Sequence, residues 1–287
     1  MKRFWSDLLF APASRRSLVA TRVCVAAYSL WLVLSRPMLW QIAEWPRAMY
    51  PLRHAPLLVR FGILVVPAQV EHALYLLLML LLAAVMFGAF TRVTAVASSL
   101  LLYHFAPFEE IFSGLHSNGN SGFNLVALAL AALAFAEYDD GDESPEYRWP
   151  IVFVQMLVAL QYLLGGLSKV RFTGFGWYTP DNIAKTIRET VTLTGAPWGD
   201  AVASSAALTL ALTAATFLVE FAFPLAVVSR RARWIIIPAA AIGAFLRARI
   251  YGFNTLVAPL LVVFVNWDWV YELRTSARHA RNRAALT

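Results

Sequence analysis

An all-α, polytopic bundle of about eight membrane-spanning helices is the fold this sequence predicts, on three observations. Apolar residues make up 60% of its 287 positions and charged residues only 14%, with a mean hydropathy of +0.62. A water-soluble chain is about half apolar and about a quarter charged, so the surplus apolar surface has to face lipid. The apolar residues also gather into runs of near-spanning length, and arginines cluster between those runs.

In chain order, the runs are 17–35, 70–90, 92–107, 121–137, 149–168, 201–228, 233–250 and 253–270. Lys2, Arg3, Arg15 and Arg16 precede the first run. It is long enough to span and no clear A-x-A site follows, so a retained first span is expected rather than a cleaved signal. Segment 38–66 carries Trp40, Trp45, Arg47, Arg53 and Arg60 but is broken by Pro46, Pro51 and Pro56, and reads as interfacial or re-entrant. No long polar stretch separates the runs. One membrane domain over 1–287 is expected, with a helical core at 17–270 and basic tails at 1–16 and 271–287.

Orientation follows from the basic residues. The N-terminal cluster, Arg92, the group Arg230, Arg231 and Arg233, and the group Arg274, Arg278, Arg281 and Arg283 share one side if eight spans run up and down. Positive charge is retained on the cytoplasmic side, so both termini are expected there, in a cell inner membrane. The net charge of +7 is dispersed in these short clusters, which argues against a nucleic-acid face. The single cysteine, Cys24, excludes an intramolecular disulfide and a CxxC site. The same topology sends FEEIFSGLHSNGNSG (108–122), the stretch after Lys169, and the turn around Arg247, Arg249 and Tyr251 to the outer face.

Polar stripes run through the apolar helices. Gln155, Tyr162 and Lys169 are spaced by seven, with Gly165 and Gly166 on the same face. Thr209, Thr213, Thr216 and Glu220 line one face of the sixth span; Arg247, Tyr251 and Asn254 align in the seventh, and Asn120 and Asn124 open the fourth. An ionisable residue inside a span costs roughly 2.5–3.5 kcal/mol, so each needs a partner or a water-filled cavity. For Glu220 and Arg247 a structural ion pair is as good a reading as a ligand site. The threonines are accounted for by bonds back to their own helix.

Lys169 is one of three lysines in a chain that otherwise carries its positive charge on arginine. A lysine at a helix end commonly snorkels to the headgroups and anchors the span. The functional alternative is a desolvated amine acting as a base, with a flat ligand approaching over Gly165 and Gly166 and stacking on Trp177 and Tyr178. His54, His72, His104, His116 and His279 share no i,i+4 or HExxH spacing, so no metal is expected. Glu71, His72 and Tyr75 form a small polar cluster at the start of the second span; Glu109 and Glu110 follow His104 in the chain. No GxSxG, P-loop or Rossmann pattern occurs.

The arginine-led first helix, the SNGNSG turn opening a helix, YLLGGLSKVRFTGFGWY and VEFAFPLAVVSRRAR together form a recognisable set. They resemble the horizontally transferred transmembrane (HTTM) domain, the membrane domain shared by vitamin K-dependent gamma-carboxylases and their bacterial relatives. The resemblance extends over most of residues 17–270. It implies a reduced, vitamin K-like quinone as cofactor, with Lys169 as the general base that deprotonates it and Tyr162 beside it in the motif. It places Asn118, Asn120 and His116 in the same outer cavity and matches Glu220 to an acidic position of unknown role. Two features depart from the carboxylase pattern. The carboxylases carry a large soluble propeptide-recognising domain, whereas this chain ends about 17 residues after its last expected span. Arg247 and Arg249, and likewise Asn120, stand where the pattern has histidines. The resemblance therefore implies a quinol- or lipid-coupled enzyme acting on something other than a glutamyl side chain, a peptide among the candidates. The alternative is a non-catalytic partner in peptide maturation, immunity or assembly, like the sporulation-delaying-protein B relatives.

Overall fold

A computed structural model describes residues 2–36, 38–42, 44, 66–112, 121–136, 141–251 and 258–272. The protein is an all-helical membrane protein: Arg15–Leu34, Ala68–Phe87, Pro145–Tyr178 and Arg230–Tyr251 are each long and apolar enough to cross a bilayer. The chain divides into two compact units, one of Met1–Val154 with Val262–Thr287 and one of Gln155–Leu261.

The first unit is organised around α2 (Arg15–Leu34), α4 (Ala68–Phe87), α5 (Thr91–Phe112) and α6 (Ser121–Ala134). α2 packs on α4 and α6, α5 packs between α4 and α6, and the short α3 (Met38–Ile42) packs on α4 and α5. Leu18, Val25, Leu32, Leu78, Leu82, Leu102, Phe105, Phe123, Leu130 and Leu133 fill the interior, while Leu80, Phe87, Val93 and Leu100 stay exposed. Apolar side chains on both faces of one helix are what a span in contact with protein and lipid requires. Arg22 is also buried here, its guanidinium lying against Gly88. Gly88 ends α4 with φ +83, and a Cβ there would come within 2.9 Å of Arg22 Nη2, so both backbone and space call for glycine.

Before α2, α1 (Lys2–Phe10) packs on the 3₁₀ turn Pro145–Tyr147, and Arg148 Nε donates to the Leu8 carbonyl at 3.3 Å. β1 (Ala13–Ser14) pairs antiparallel with β2 (Glu143–Ser144), Ala13 opposite Ser144. The Ser14 hydroxyl caps α2 by accepting from Ser17 N at 3.0 Å and itself donates to Asp268. Ser17 donates to the other oxygen of Asp268 at 3.2 Å, so one carboxylate ties the start of α2 to the chain's last described helical turns.

The second unit begins within α7 (Arg148–Thr173), whose helix extends past the expected end of the fifth span to carry Lys169 in its last turn but one. A 3₁₀ segment, Gly174–Tyr178, follows. Pro180–Thr194 (α8) is an amphipathic helix that the hydropathy runs did not single out. Thr179 caps it, Pro180 occupies its first turn, and Gly195 ends it at φ +66. Its apolar face, Ile183, Ala184 and Ile187, packs with Ala203 and Ile250 into the core of this unit.

The expected span 201–228 is not one helix. It is divided into α9 (Gly199–Ala203), α10 (Ala206–Ala222) and α11 (Leu225–Val228). Ser205 caps α10 and Pro224, which has no N–H to continue the ladder, stands between α10 and α11. α10 is 17 residues, roughly 25 Å of helix, shorter than the hydrocarbon core of about 30 Å. α12 (Arg230–Tyr251) packs on α8 and α10. The eighth expected run also differs: its described part, Ala258–Phe264, is a 3₁₀ helix with Pro259 near its start, and residues 265 and 266 leave the helix before 267–272 resume it.

Candidate functional site

Lys169 does not snorkel freely. Its side chain is 13% exposed and pairs with Glu220 of α10, which is 9% exposed. Nζ donates to Glu220 Oε1, and the Tyr178 hydroxyl donates to Oε2 at 2.6 Å, so both carboxylate oxygens are held. The Tyr178 oxygen also lies 3.4 Å from the Gly166 carbonyl. Two proton donors, one from α7 and one from the 3₁₀ segment, thus meet on one buried carboxylate supplied by α10.

Local sequence sets up each part. Glu220 is the last member of the threonine stripe, whose Thr209 and Thr213 are buried with it. Those two hydroxyls bond back to their own helix, Thr213 to the Thr209 carbonyl at 2.7 Å, so the stripe contributes small size rather than ligand groups. Tyr178 reaches Glu220 because Gly174, at φ +63, turns the chain out of α7 into the 3₁₀ segment. Tyr178 packs edge-on to Phe217 at 5.1 Å, and Phe217 meets Phe221 at 4.7 Å, walling the carboxylate with aromatic rings.

The paired glycines have different roles. A Cβ on Gly166 would lie 3.0 Å from Phe221 Cε2 and 3.2 Å from Glu220 Cβ, so this glycine admits α10, not a ligand. The expected approach of a flat molecule over both glycines is therefore limited to Gly165, where a Cβ would meet nothing within 4 Å.

Tyr162 stacks on Phe223, ring centroids 4.0 Å apart and 4° from parallel. Its hydroxyl is buried and has no hydrogen-bond partner among the described residues. Arg247 of α12 lies within electrostatic reach of Tyr162, Lys169 and Tyr251. Lys169, Glu220 and Arg247, read on separate stripes of the fifth, sixth and seventh expected spans, thus come within interaction range of one another in this unit, as spacing alone could not show.

Gln155 is buried at the start of the unit. Trp177 is half-buried and its carbonyl accepts from Asn182 Nδ2 at 3.2 Å; the structure shows no stacking of its ring on the Lys169 group. The Tyr251 carbonyl accepts from Thr194 Oγ1 at 3.0 Å. His116, Asn118, Asn120 and Asn254 lie outside the described residues.

The first unit holds a second polar pair that sequence spacing had not joined. Glu71 is buried and both its oxygens meet His104 Nε2, at 3.0 and 3.1 Å. His72, its chain neighbour, instead stacks on Trp40 at 3.9 Å and meets the Trp40 carbonyl at 3.0 Å. Among the described residues, no three His, Cys, Asp or Glu side chains gather as a metal site would require. Compared with known protein families, curated proteins and solved structures, the chain matches none.

Proposed function

We propose that the protein is a quinol- or lipid-coupled membrane enzyme of the HTTM kind, whose proton-transfer centre is Lys169, Glu220 and Tyr178. The observation that carries this reading is the buried carboxylate bridging an amine and a phenol. In the topology that accompanies it, about eight spans cross an inner membrane with both termini cytoplasmic, and Lys169 lies toward the outer face. The shorter apolar helices α6 and α10 are counted among those spans.

The pair refines the role expected of lysine alone. As an ammonium paired to a carboxylate, Lys169 cannot accept a proton. Passing its own proton to Glu220 leaves a free amine beside a neutral acid, with no net change of buried charge. The amine can then take a proton from a substrate hydroxyl, and Tyr178 holds Glu220 in place through both states. The residues suit a hydroquinone: the Tyr162 hydroxyl, without a hydrogen-bond partner among the described residues, offers a hydrogen bond, and a Cβ at Gly165 would meet nothing within 4 Å. Such a group, when bound, supplies a weakly acidic hydroxyl and two transferable electrons. Tyr162 orients, while Lys169 and Glu220 hold and move the proton.

The test is oxygen uptake and quinol oxidation by the purified protein in nanodiscs, with a reduced naphthoquinone as probe. Lys169→Arg keeps a cation for Glu220, but a guanidinium does not give up its proton. Loss of roughly 10²-fold or more in turnover with an intact protein is expected, on the usual scale of general-base catalysis. Unchanged turnover would refute the reading. One observation favours a second reading: Lys169 is already satisfied by Glu220 and the Gly166 slot is already filled, as a purely structural lock requires. A non-catalytic partner in peptide maturation, immunity or assembly would tolerate Lys169→Arg and co-purify with its peptide or enzyme.

A further inference from the structure

The charges of the second unit do not balance where they are buried. Its acidic residues are Asp181, Glu189, Asp200 and Glu220, and all but Glu220 are exposed. Glu220 is spent on Lys169 and Tyr178. Arg247 is half-buried in a helix apolar enough to span the membrane, and it has no hydrogen-bond or ion-pair partner among the described residues. The other arginines of the unit are accounted for. Arg233 donates to the Ala226 and Val227 carbonyls at 2.9 and 3.2 Å, and Arg188 to the Ala203 carbonyl at 3.0 Å. Arg249 lies over the rings of Trp198 and Phe245, and Arg171, Arg230 and Arg231 are exposed.

Arg247 is thus a guanidinium in an apolar setting with five donors and no ion-pair partner among the described residues, an arrangement that is costly unless something negative joins it. The Tyr162 hydroxyl is within electrostatic reach of Arg247, buried, and without a hydrogen-bond partner among the described residues. α12, which carries Arg247, packs on α10, which carries Glu220. With Lys169 and Arg247 positive and Glu220 negative, the cluster is one negative charge short.

We infer that Arg247 and Tyr162 form a binding site for an anionic oxygen group, a carboxylate or phosphate, carried on an apolar body. The guanidinium supplies the charge and a two-pronged hydrogen bond, and the phenol supplies a third. Arg247 lies in a spanning helix whose Ile242 and Phe245 are exposed, so the anion arrives from the lipid phase as the headgroup of an amphiphile. The inference rests on the reading of this cluster as a ligand site and adds the charge of what the site receives.

The test is equilibrium binding of oleate, oleyl alcohol and inorganic phosphate to the purified full chain in nanodiscs of zwitterionic lipid. The wild type is expected to prefer oleate to the alcohol by about tenfold or more, the weight of a charge-assisted hydrogen bond. Arg247→Gln is expected to erase that preference while leaving alcohol binding unchanged. Arg247→Lys, which keeps the charge, retains part of it and shows that the loss is not misfolding. Tyr162→Phe weakens oleate by severalfold. Oleate favoured over phosphate supports the lipid source; phosphate binding as tightly, in an Arg247-dependent way, supports the same anion site fed from water. Oleate and alcohol binding alike, or Arg247→Gln matching wild type, overturns the inference. Quinol turnover without Arg247-dependent anion binding defeats this inference alone, whereas anion binding without quinol turnover defeats the quinol and leaves the anion site standing.

Discussion

Replacing Lys169 by methionine and Glu220 by leucine, singly and together, separates a coupled pair from two independent polar residues. Both side chains are little exposed, at 13% and 9%, so solvent screens their attraction weakly. Removing either partner leaves the other charge buried and unpaired, which costs about 3–5 kcal/mol. The Glu220 variant also strips Tyr178 of its acceptor, part of that same cost. Replacing both by apolar residues of similar size removes the stranded charge and leaves only the Tyr178 hydroxyl unsatisfied. That should place the double variant within about 2 kcal/mol of the parent. At about 2–4 °C per kcal/mol for a large domain, each single variant should melt roughly 6–20 °C lower and the double variant much closer to wild type. Thermal unfolding followed by tryptophan fluorescence in detergent, with size-exclusion as a check of integrity, measures this. Additive losses in the double variant would refute the coupling, and unchanged melting of the single variants would refute the burial of the pair.

Two further outcomes follow from the packing. Gly166→Ala pushes a methyl to within 3.0 Å of the Phe221 ring and should cost about 1–3 kcal/mol, whereas Gly165→Ala meets nothing within 4 Å and should gain up to about 1 kcal/mol of helix propensity; the two melting temperatures, read side by side, check it. In the first unit, His104→Ala leaves the Glu71 carboxylate buried without this partner and should cost about 1.5–3 kcal/mol, while adding Glu71→Leu should recover much of it; equal melting of the single and double variants would refute that.

How much was legible in the sequence depended on the range of the interaction involved. Membrane residence and the helical class follow from composition, because apolar surface has to leave water whatever the connectivity. The bounds of the first and second runs came out close, since each is set locally by apolar length, a cap or a glycine. The run 201–228 misled because hydropathy does not register a cap at Ser205 or the missing N–H of Pro224; composition stays apolar across both breaks. α8 escaped notice for the opposite reason: it is half polar, and its Ile183 and Ile187 earn their burial only against α9, α10 and α12.

The sequence by itself determined the inventory of the site. Helical periodicity put Tyr162, Gly165, Gly166 and Lys169 on one face, and the cost of charge in an apolar helix marked Glu220 and Arg247 as needing company. Which residues keep that company was decided only by the tertiary structure. Lys169 meets Glu220 across 51 positions of chain and Tyr178 completes the carboxylate across 42, separations at which no local pattern distinguishes one partner from another. The close approach that makes those contacts depends on Gly166 receiving Phe221, a fit between two helices that neither helix encodes alone. Periodicity fixes which way a side chain faces along its own helix; only packing determines what stands opposite it.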